Sequence, residues 1–154
     1  LEENITIRNL EKREFSCFKK LMKKFYSYAR NSLPEEEKLK KLFDKSVDNE
    51  INLIFIGAFD NEKLAGIVSL TFGESTYKIL PFAWCDDLYV EEDYRNKGIG
   101  RKLLEKAREI AESKNCSNIL IGAGKDEVEL HKFYNSIGFI DINCNLMSLP
   151  LLLT

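Results

Sequence analysis

The stretch that most constrains the fold runs from an apolar segment, Leu88-Tyr89-Val90, through Tyr94-Arg95-Asn96-Lys97-Gly98-Ile99-Gly100-Arg101 into a helical pattern that continues to about Lys114. Ile99, Leu103, Ala107 and Ile110 recur on one stripe with Leu104 and Ala111 beside them, while Glu105, Lys106, Arg108, Glu109 and Glu112 fall on the opposite side. A second apolar segment, centred on Ile119-Leu120-Ile121, follows. Strand, helix and strand in that order predict a right-handed parallel crossover in an α/β sheet.

The loop between strand and helix has the composition of an anion cradle. Gly98 and Gly100 let the backbone turn without Cβ clashes, so several N–H groups can converge on one oxyanion at the positive end of the helix. Arg95, Lys97 and Arg101 surround that point with cations, and phosphate or pyrophosphate is the matching guest. Two other phosphate loops are excluded. No Gly-Lys-Ser/Thr closes the stretch, and Leu103 stands where the dinucleotide fingerprint requires its third glycine.

The pattern that remains, Arg95-x-x-Gly98-x-Gly100 between a strand and an amphipathic helix, resembles the acyl-CoA signature of the GNAT superfamily of N-acetyltransferases. Downstream, His131-Lys132-Phe133-Tyr134-Asn135-Ser136-Ile137-Gly138-Phe139 resembles that family's second signature, a helix ending in Phe-Tyr-x-x-x-Gly-Phe. The resemblance implies an α/β GNAT fold, with a mixed, twisted central sheet covered by helices on both faces, as a single acetyltransferase domain over residues 1–154. It further implies transfer of the acetyl group of acetyl-CoA to a primary amine of a small molecule, a polyamine-like compound or a peptide or protein. The coenzyme would be bound by Leu88, Tyr89, Val90, Arg95, Asn96, Lys97, Gly98, Ile99, Gly100 and Arg101, and approached at its sulfur by Tyr134. In the family, this strand splays from the next, so that the pantetheine arm pairs with its edge and one N–H polarises the thioester carbonyl. A noncatalytic acyl-CoA sensor or regulatory module is the alternative that the same motifs allow.

The chemistry of the remaining candidates follows from their acidity. A phenol, with an ordinary pKa of about 10, is protonated at neutral pH and can protonate a departing thiolate, so Tyr134 is the candidate general acid. An acceptor ammonium, with a pKa of about 10.4, must lose a proton before it attacks. Asp86 is the favoured base, directly or through water, with Asp87 next. Strand alternation sends these two to opposite faces unless a bulge intervenes. An acidic pair before a similar Leu-Tyr-Val run occurs in polyamine-type members of the family. Many members also place an asparagine after the fifth strand, where this chain has Gly124-Lys125-Asp126-Glu127.

Elsewhere, Ile5 and Ile7 alternate in a short edge strand, and Phe15, Phe18, Leu21, Met22 and Phe25 predict an amphipathic helix over residues 11–28. Ser32 is expected to cap a second helix that has Pro34 in its first turn, buries Leu39, Leu42 and Phe43 and runs to about Val47. In the resembled family the first two helices wall the acceptor pocket. The apolar run 53–59 and the segment 64–72 read as a hairpin joined at Asp60-Asn61-Glu62, followed by a polar connection over residues 73–78 and a strand over 79–90. A strand over residues 117–123, a helix over 127–136 with Gly138 as its left-handed cap, and one or two strands within 139–152 complete the reading.

A net charge of -2 provides no basic field for nucleic acid. No apolar stretch approaches the ~20 residues that span a bilayer. Leu1-Glu2-Glu3-Asn4 lacks the parts of a signal peptide, so a cytoplasmic protein is expected. Cys17, Cys85, Cys116 and Cys144 form no Cys-x-x-Cys pair, and His131 is the one histidine, so no metal site is expected. The apolar segment 146–152 suggests a homodimer contact.

Overall fold

The computed structural model describes residues 4–151. Its packing divides the chain into two compact units, residues 1–122 and 123–154.

The first unit is built on a five-stranded sheet: β1 (Ile5–Asn9), β2 (Leu53–Asp60), β3 (Lys63–Ser75), β4 (Leu80–Val90) and β5 (Ile119–Ile121), neighbours in that order. The first four pair antiparallel and β5 pairs parallel to β4, as the crossover requires. Helices α1 (Phe15–Tyr28) and α2 (Glu36–Val47) fill the connection between β1 and β2, and α3 (Ile99–Ser113) joins β4 to β5.

Alternation along the strands sorts two apolar faces. Phe55, Phe59, Ile67 and Tyr89 meet Phe18, Leu21 and Met22 of α1 and Leu39 and Phe43 of α2 in one buried cluster. The Phe18 ring centroid lies 4.8 Å from those of both Phe43 and Phe55. Complete burial of each such side chain stabilises the fold by about 1.5–3 kcal/mol. Gly66, Val68 and Leu70 point the other way, where a Cβ on Gly66 would stand 3.3 Å from Leu103 Cδ1 of α3. Ile99, Leu103, Leu104, Ala107 and Ala111 are the buried stripe of that helix. The sheet is therefore mixed and covered on both faces.

Several boundaries differ from those expected. Residues 12–14 form a 3-10 turn before α1, closed by the Glu11 N–H donating to Glu14 Oε2 at 2.7 Å. Helix α2 begins at Glu36 behind an extended Glu35, which leaves Ser32 too far upstream to cap it and Pro34 outside its first turn. Leu42 lies at the edge of the α2 stripe and is exposed, whereas Ser46 is buried and donates to the Leu53 carbonyl at 2.8 Å. β3 continues through Gly73, Glu74 and Ser75, which pair with Phe82, Pro81 and Leu80. β5 is shorter than its apolar run because β4 offers it only Ala83, Trp84 and Cys85 as partners.

The second unit contains α4 (Val128–Ile137), which ends on Gly138 at φ 109°, with the Phe139 N–H returning to the Tyr134 carbonyl at 3.1 Å. The strands expected within 139–152 are absent from residues 139–151, and Leu152 lies outside the described residues. Apolar composition alone does not make a strand: the backbone there has no ladder partner, Asn143 turns it at φ 51°, and Ile140, Leu146, Met147, Leu149 and Leu151 are exposed.

Candidate active site

The two candidate acids lie at an irregularity in β4. Ser69 pairs with Asp87 and Leu70 with Cys85, so Asp86 is the extra residue of a bulge. The bulge cancels the alternation that would separate the two acids. Thr71 Oγ1 donates to Asp86 Oδ2 at 2.6 Å and Ser69 Oγ to Asp87 Oδ2 at 3.4 Å, and these two hydroxyls share one face of β3. Ser69 also accepts the Asp87 N–H at 3.1 Å, satisfying a donor that the bulge takes out of the ladder. Both carboxylates thus lie on the α1–α2 face, beyond the apolar cluster. Burial, then the charge of Asp86, raises the Asp87 carboxyl above its ordinary pKa, while the Ser69 bond opposes the shift. Asp86 is exposed. Tyr26 of α1 is close enough that its phenol, raised chiefly by burial, also responds to Asp87.

Beyond the bulge β4 parts from β5. The parallel ladder ends at Cys85 and Ile121, and a bulge's added twist is a physical reason for the divergence. The Glu91 N–H donates to the Ala65 carbonyl at 2.8 Å, so these residues form a hydrogen-bonded antiparallel pair. Alternation then directs the backbone groups of Leu88 and Val90 away from β3, into the gap that β5 leaves. Arg95 Nε meets the Val90 carbonyl on that side at 2.9 Å.

The cradle follows a 3-10 turn, Glu92–Tyr94. Asn96 at φ 60° and Gly98 at φ 78° reverse the backbone before α3 begins at Ile99. Gly98 is the N-cap and supplies no side-chain bond, so the first-turn N–H groups have no side-chain cap. A Cβ on Gly98 would meet no atom outside its chain neighbours within 4 Å, which leaves open space at the helix start. These features fit an approaching phosphate. Lys97 lies over the Tyr94 ring at 5.4 Å, whereas the Arg95 guanidinium turns towards Tyr28 at 5.0 Å and Tyr89 at 5.5 Å. Arg95 therefore braces the end of β4 rather than contributing its whole charge to the loop.

An open cleft of about 1250 Å³ beside α1 is lined by residues including Lys20, Lys24, Tyr28, Lys63, Tyr89 and Arg95. Neither Asp86 nor Asp87 lines it, so it is distinct from the acidic pair. At its floor Glu91 accepts from Lys24 at 2.7 Å and pairs with Lys63 at 3.2 Å. Burial pushes the Glu91 carboxyl up, but these lysines outweigh it and hold the group below its ordinary pKa.

In the second unit Tyr134 is buried in α4, its ring 5.5 Å from Phe133 and 5.6 Å from Phe139. The segment that replaces the family's asparagine is closed on itself. Gly124 N–H donates to Glu127 Oε2 at 2.6 Å, and His131 Nε2 lies 2.8 Å from the Gly124 carbonyl.

Sequence reasoning missed Ser69, Thr71 and Glu91. Their roles depend on cross-strand register and on helix placement, which no local spacing reveals.

Residues 8–139 match the acetyltransferase (GNAT) family. Mouse (Mus musculus) thialysine N-epsilon-acetyltransferase is 34% identical over 74 residues, covering 42% of this chain and 44% of that protein. The D-amino-acid N-acetyltransferase of Saccharomyces cerevisiae is 26% identical over 107 residues, covering 68% of this chain and 66% of that protein. In both cases the chain spans less than two thirds of the relative's length. The solved structure of AAC(6')-Iy in complex with a CoA-containing bisubstrate analogue superposes with a TM-score of 0.79 at 13% identity, covering 96% of this chain and 98% of that one. That likeness establishes the fold. Among the described residues no helix is long and apolar enough to cross a membrane.

Proposed function

This chain belongs to the acetyltransferase (GNAT) family, and from that premise we propose that its two units act as one N-acetyltransferase domain that transfers the acetyl group of acetyl-CoA directly to a primary amine. The observation that carries the reading is the uncapped start of α3, with Gly98 in the left-handed region, next to a β4 edge that β5 leaves open after Cys85.

When bound, acetyl-CoA supplies a thioester carbonyl activated towards an amine. The first-turn N–H groups of α3, with Lys97 and Arg101, would hold the pyrophosphate. Outward N–H groups of Leu88 or Val90 would donate to the thioester oxygen, a contact that lowers the barrier by about 3 kcal/mol. Asp87 is the better placed base of the acidic pair: it is more buried than Asp86 and its carboxyl is raised, so it takes a proton more readily from the acceptor ammonium. Asp86, exposed and held by Thr71, would attract the cation. Tyr134, assigned by its motif, would give its proton to the departing sulfur.

Direct attack is favoured over an acetyl-enzyme because Cys85, the thiol beside the acids, is pushed up to about 12 by burial, then by Asp87 and Asp86, and stays a thiol at neutral pH. The exposed apolar side chains of residues 140–151 support pairing with a second copy, and the expected location is the cytoplasm.

Mass analysis of amines incubated with protein and acetyl-CoA tests the reading. The panel includes thialysine, D-amino acids and aminoglycosides, the acceptors named for similar proteins, together with polyamines and peptide N-termini. A mass gain on at least one amine supports the proposal, and none on any amine opposes it.

A further inference from the structure

The cradle reverses direction through two residues in the left-handed region. Asn96 sits at φ 60° and Gly98 follows two residues later at φ 78°; asparagine and glycine enter this region readily, so the backbone permits this shape without confining the loop to it. A loop with that freedom is held in one shape by the contacts at its root. Immediately upstream, Arg95 is bonded to the Val90 carbonyl and Tyr94 to a residue of β2.

Tyr94 ends the 3-10 turn between β4 and the cradle and is 9% exposed. Its hydroxyl donates to Asp60 Oδ2 at 2.7 Å, and Asp60 is the last residue of β2. Its N–H donates to the Glu91 carbonyl at 2.9 Å, and the Glu91 side chain is in turn held by Lys24 and Lys63. Two ammonium groups lie over its ring, Lys63 at 4.7 Å and Lys97 at 5.4 Å. Packing alone would need only the ring. The hydroxyl adds a directed bond to a carboxylate, stronger than a neutral pair, which ties the root of the cradle to the β2–β3 hairpin. The ring, meanwhile, sits beneath one of the cradle's own cations.

We propose that Tyr94 is a positioning residue for coenzyme binding: its bond to Asp60 and its ring under Lys97 hold residues 95–101 in the conformation that receives the pyrophosphate. The inference rests on the cradle reading given above. Pre-organising a loop strengthens binding by removing the ordering cost from the binding step. Tyr94→Phe keeps the ring and loses the tie, Asp60→Ala loses the tie from the other side, and Tyr94→Leu loses both tie and ring.

The test compares titrations of wild type and variants with CoA and with acetyl-pantetheine, which lacks the pyrophosphate, alongside thermal unfolding and steady-state kinetics. Tyr94→Phe and Asp60→Ala should each weaken CoA binding by about 3- to 10-fold, because only part of the bond's strength is passed on to the loop. Acetyl-pantetheine affinity should stay within about 2-fold, a change too small to represent that bond. The double variant should add little to either single one. Tyr94→Leu should lose more, and the kinetic loss should appear in KM for acetyl-CoA rather than in kcat. Unchanged CoA affinity in folded Tyr94→Phe and Asp60→Ala overturns the inference, as does equal weakening for both ligands, which would mark general loosening. If the wild-type protein binds acetyl-pantetheine as tightly as CoA, the cradle reading itself fails and the inference with it.

Discussion

Gly98→Val probes the cradle where its two requirements can be separated. The native φ of 78° lies in the left-handed region, so any residue with a Cβ is strained there by roughly 1–2 kcal/mol, with β-branching at the upper end. No protein atom outside the adjoining residues lies within 4 Å of the added Cβ, so the strain there is that of the backbone. For a domain of this size the melting temperature should fall by about 2–8 °C, leaving the protein folded at 25 °C. The same open space is where the phosphate would approach the first-turn N–H groups. Losing one charge-assisted hydrogen bond there, about 1.5–3 kcal/mol, corresponds to roughly 10- to 100-fold weaker CoA binding. Gly98→Ala carries most of the backbone strain with less bulk and should lie between wild type and Val. Calorimetric titration with CoA, paired with a thermal scan of each protein, reads both quantities. A Val variant with the expected drop in melting temperature but unaltered CoA affinity would refute the argument, because the strained loop would then not be the phosphate site.

Tyr134→Phe should lower turnover by about 10²-fold while CoA affinity changes little, the size expected for loss of a general acid; normal turnover in the folded variant withdraws Tyr134 from the chemistry. Asp87 has a raised carboxyl, so its contribution to stability is full below the ordinary aspartate range and is lost as pH rises through its higher folded value. Asp87→Asn should therefore unfold at a higher temperature than wild type near pH 7 but not near pH 3, and should transfer acetyl groups more slowly; a melting temperature lowered at pH 7 contradicts this. Glu91 has the opposite sign: its lowered carboxyl stabilises the fold above the ordinary glutamate range, and that stabilisation disappears as pH falls through the lower folded value. Glu91→Gln should accordingly cost stability at pH 7 and little at pH 2, as thermal scans at the two pH values would read. Sedimentation across a concentration series checks self-association through residues 140–151, and a constant monomer mass removes it.

Local signals carried the first part of the architecture. The change from strand to helical periodicity around Arg95 to Arg101, followed by Ile119-Leu120-Ile121, was enough to place α3 and the parallel β4–β5 pair. Gly98 and Gly138 adopt the left-handed angles that their positions imply. What escaped was whatever depends on a partner. The bulge at Asp86 exists only in the register between β3 and β4, so the shared face of Asp86 and Asp87 and the supporting hydroxyls of Ser69 and Thr71 had no local mark. The same reason explains the terminal error: residues 139–151 have strand-like apolar content, but no neighbouring strand pairs with them. Ser32 suited a cap by type, while Glu35, in extended conformation, set the start of α2 further along.

The stoichiometry of a single turnover tests direct transfer of the acetyl group from acetyl-CoA to an amine. Acetyl-CoA is held on excess protein, one amine at a time is added, and free coenzyme thiol and acetylated amine are measured from the same sample. Thiol release should depend on the amine and match the acetylated product one for one, with no acetyl group left on Cys85. Coenzyme that binds yet releases no thiol with any amine would rule out transfer and identify an acyl-CoA-binding module.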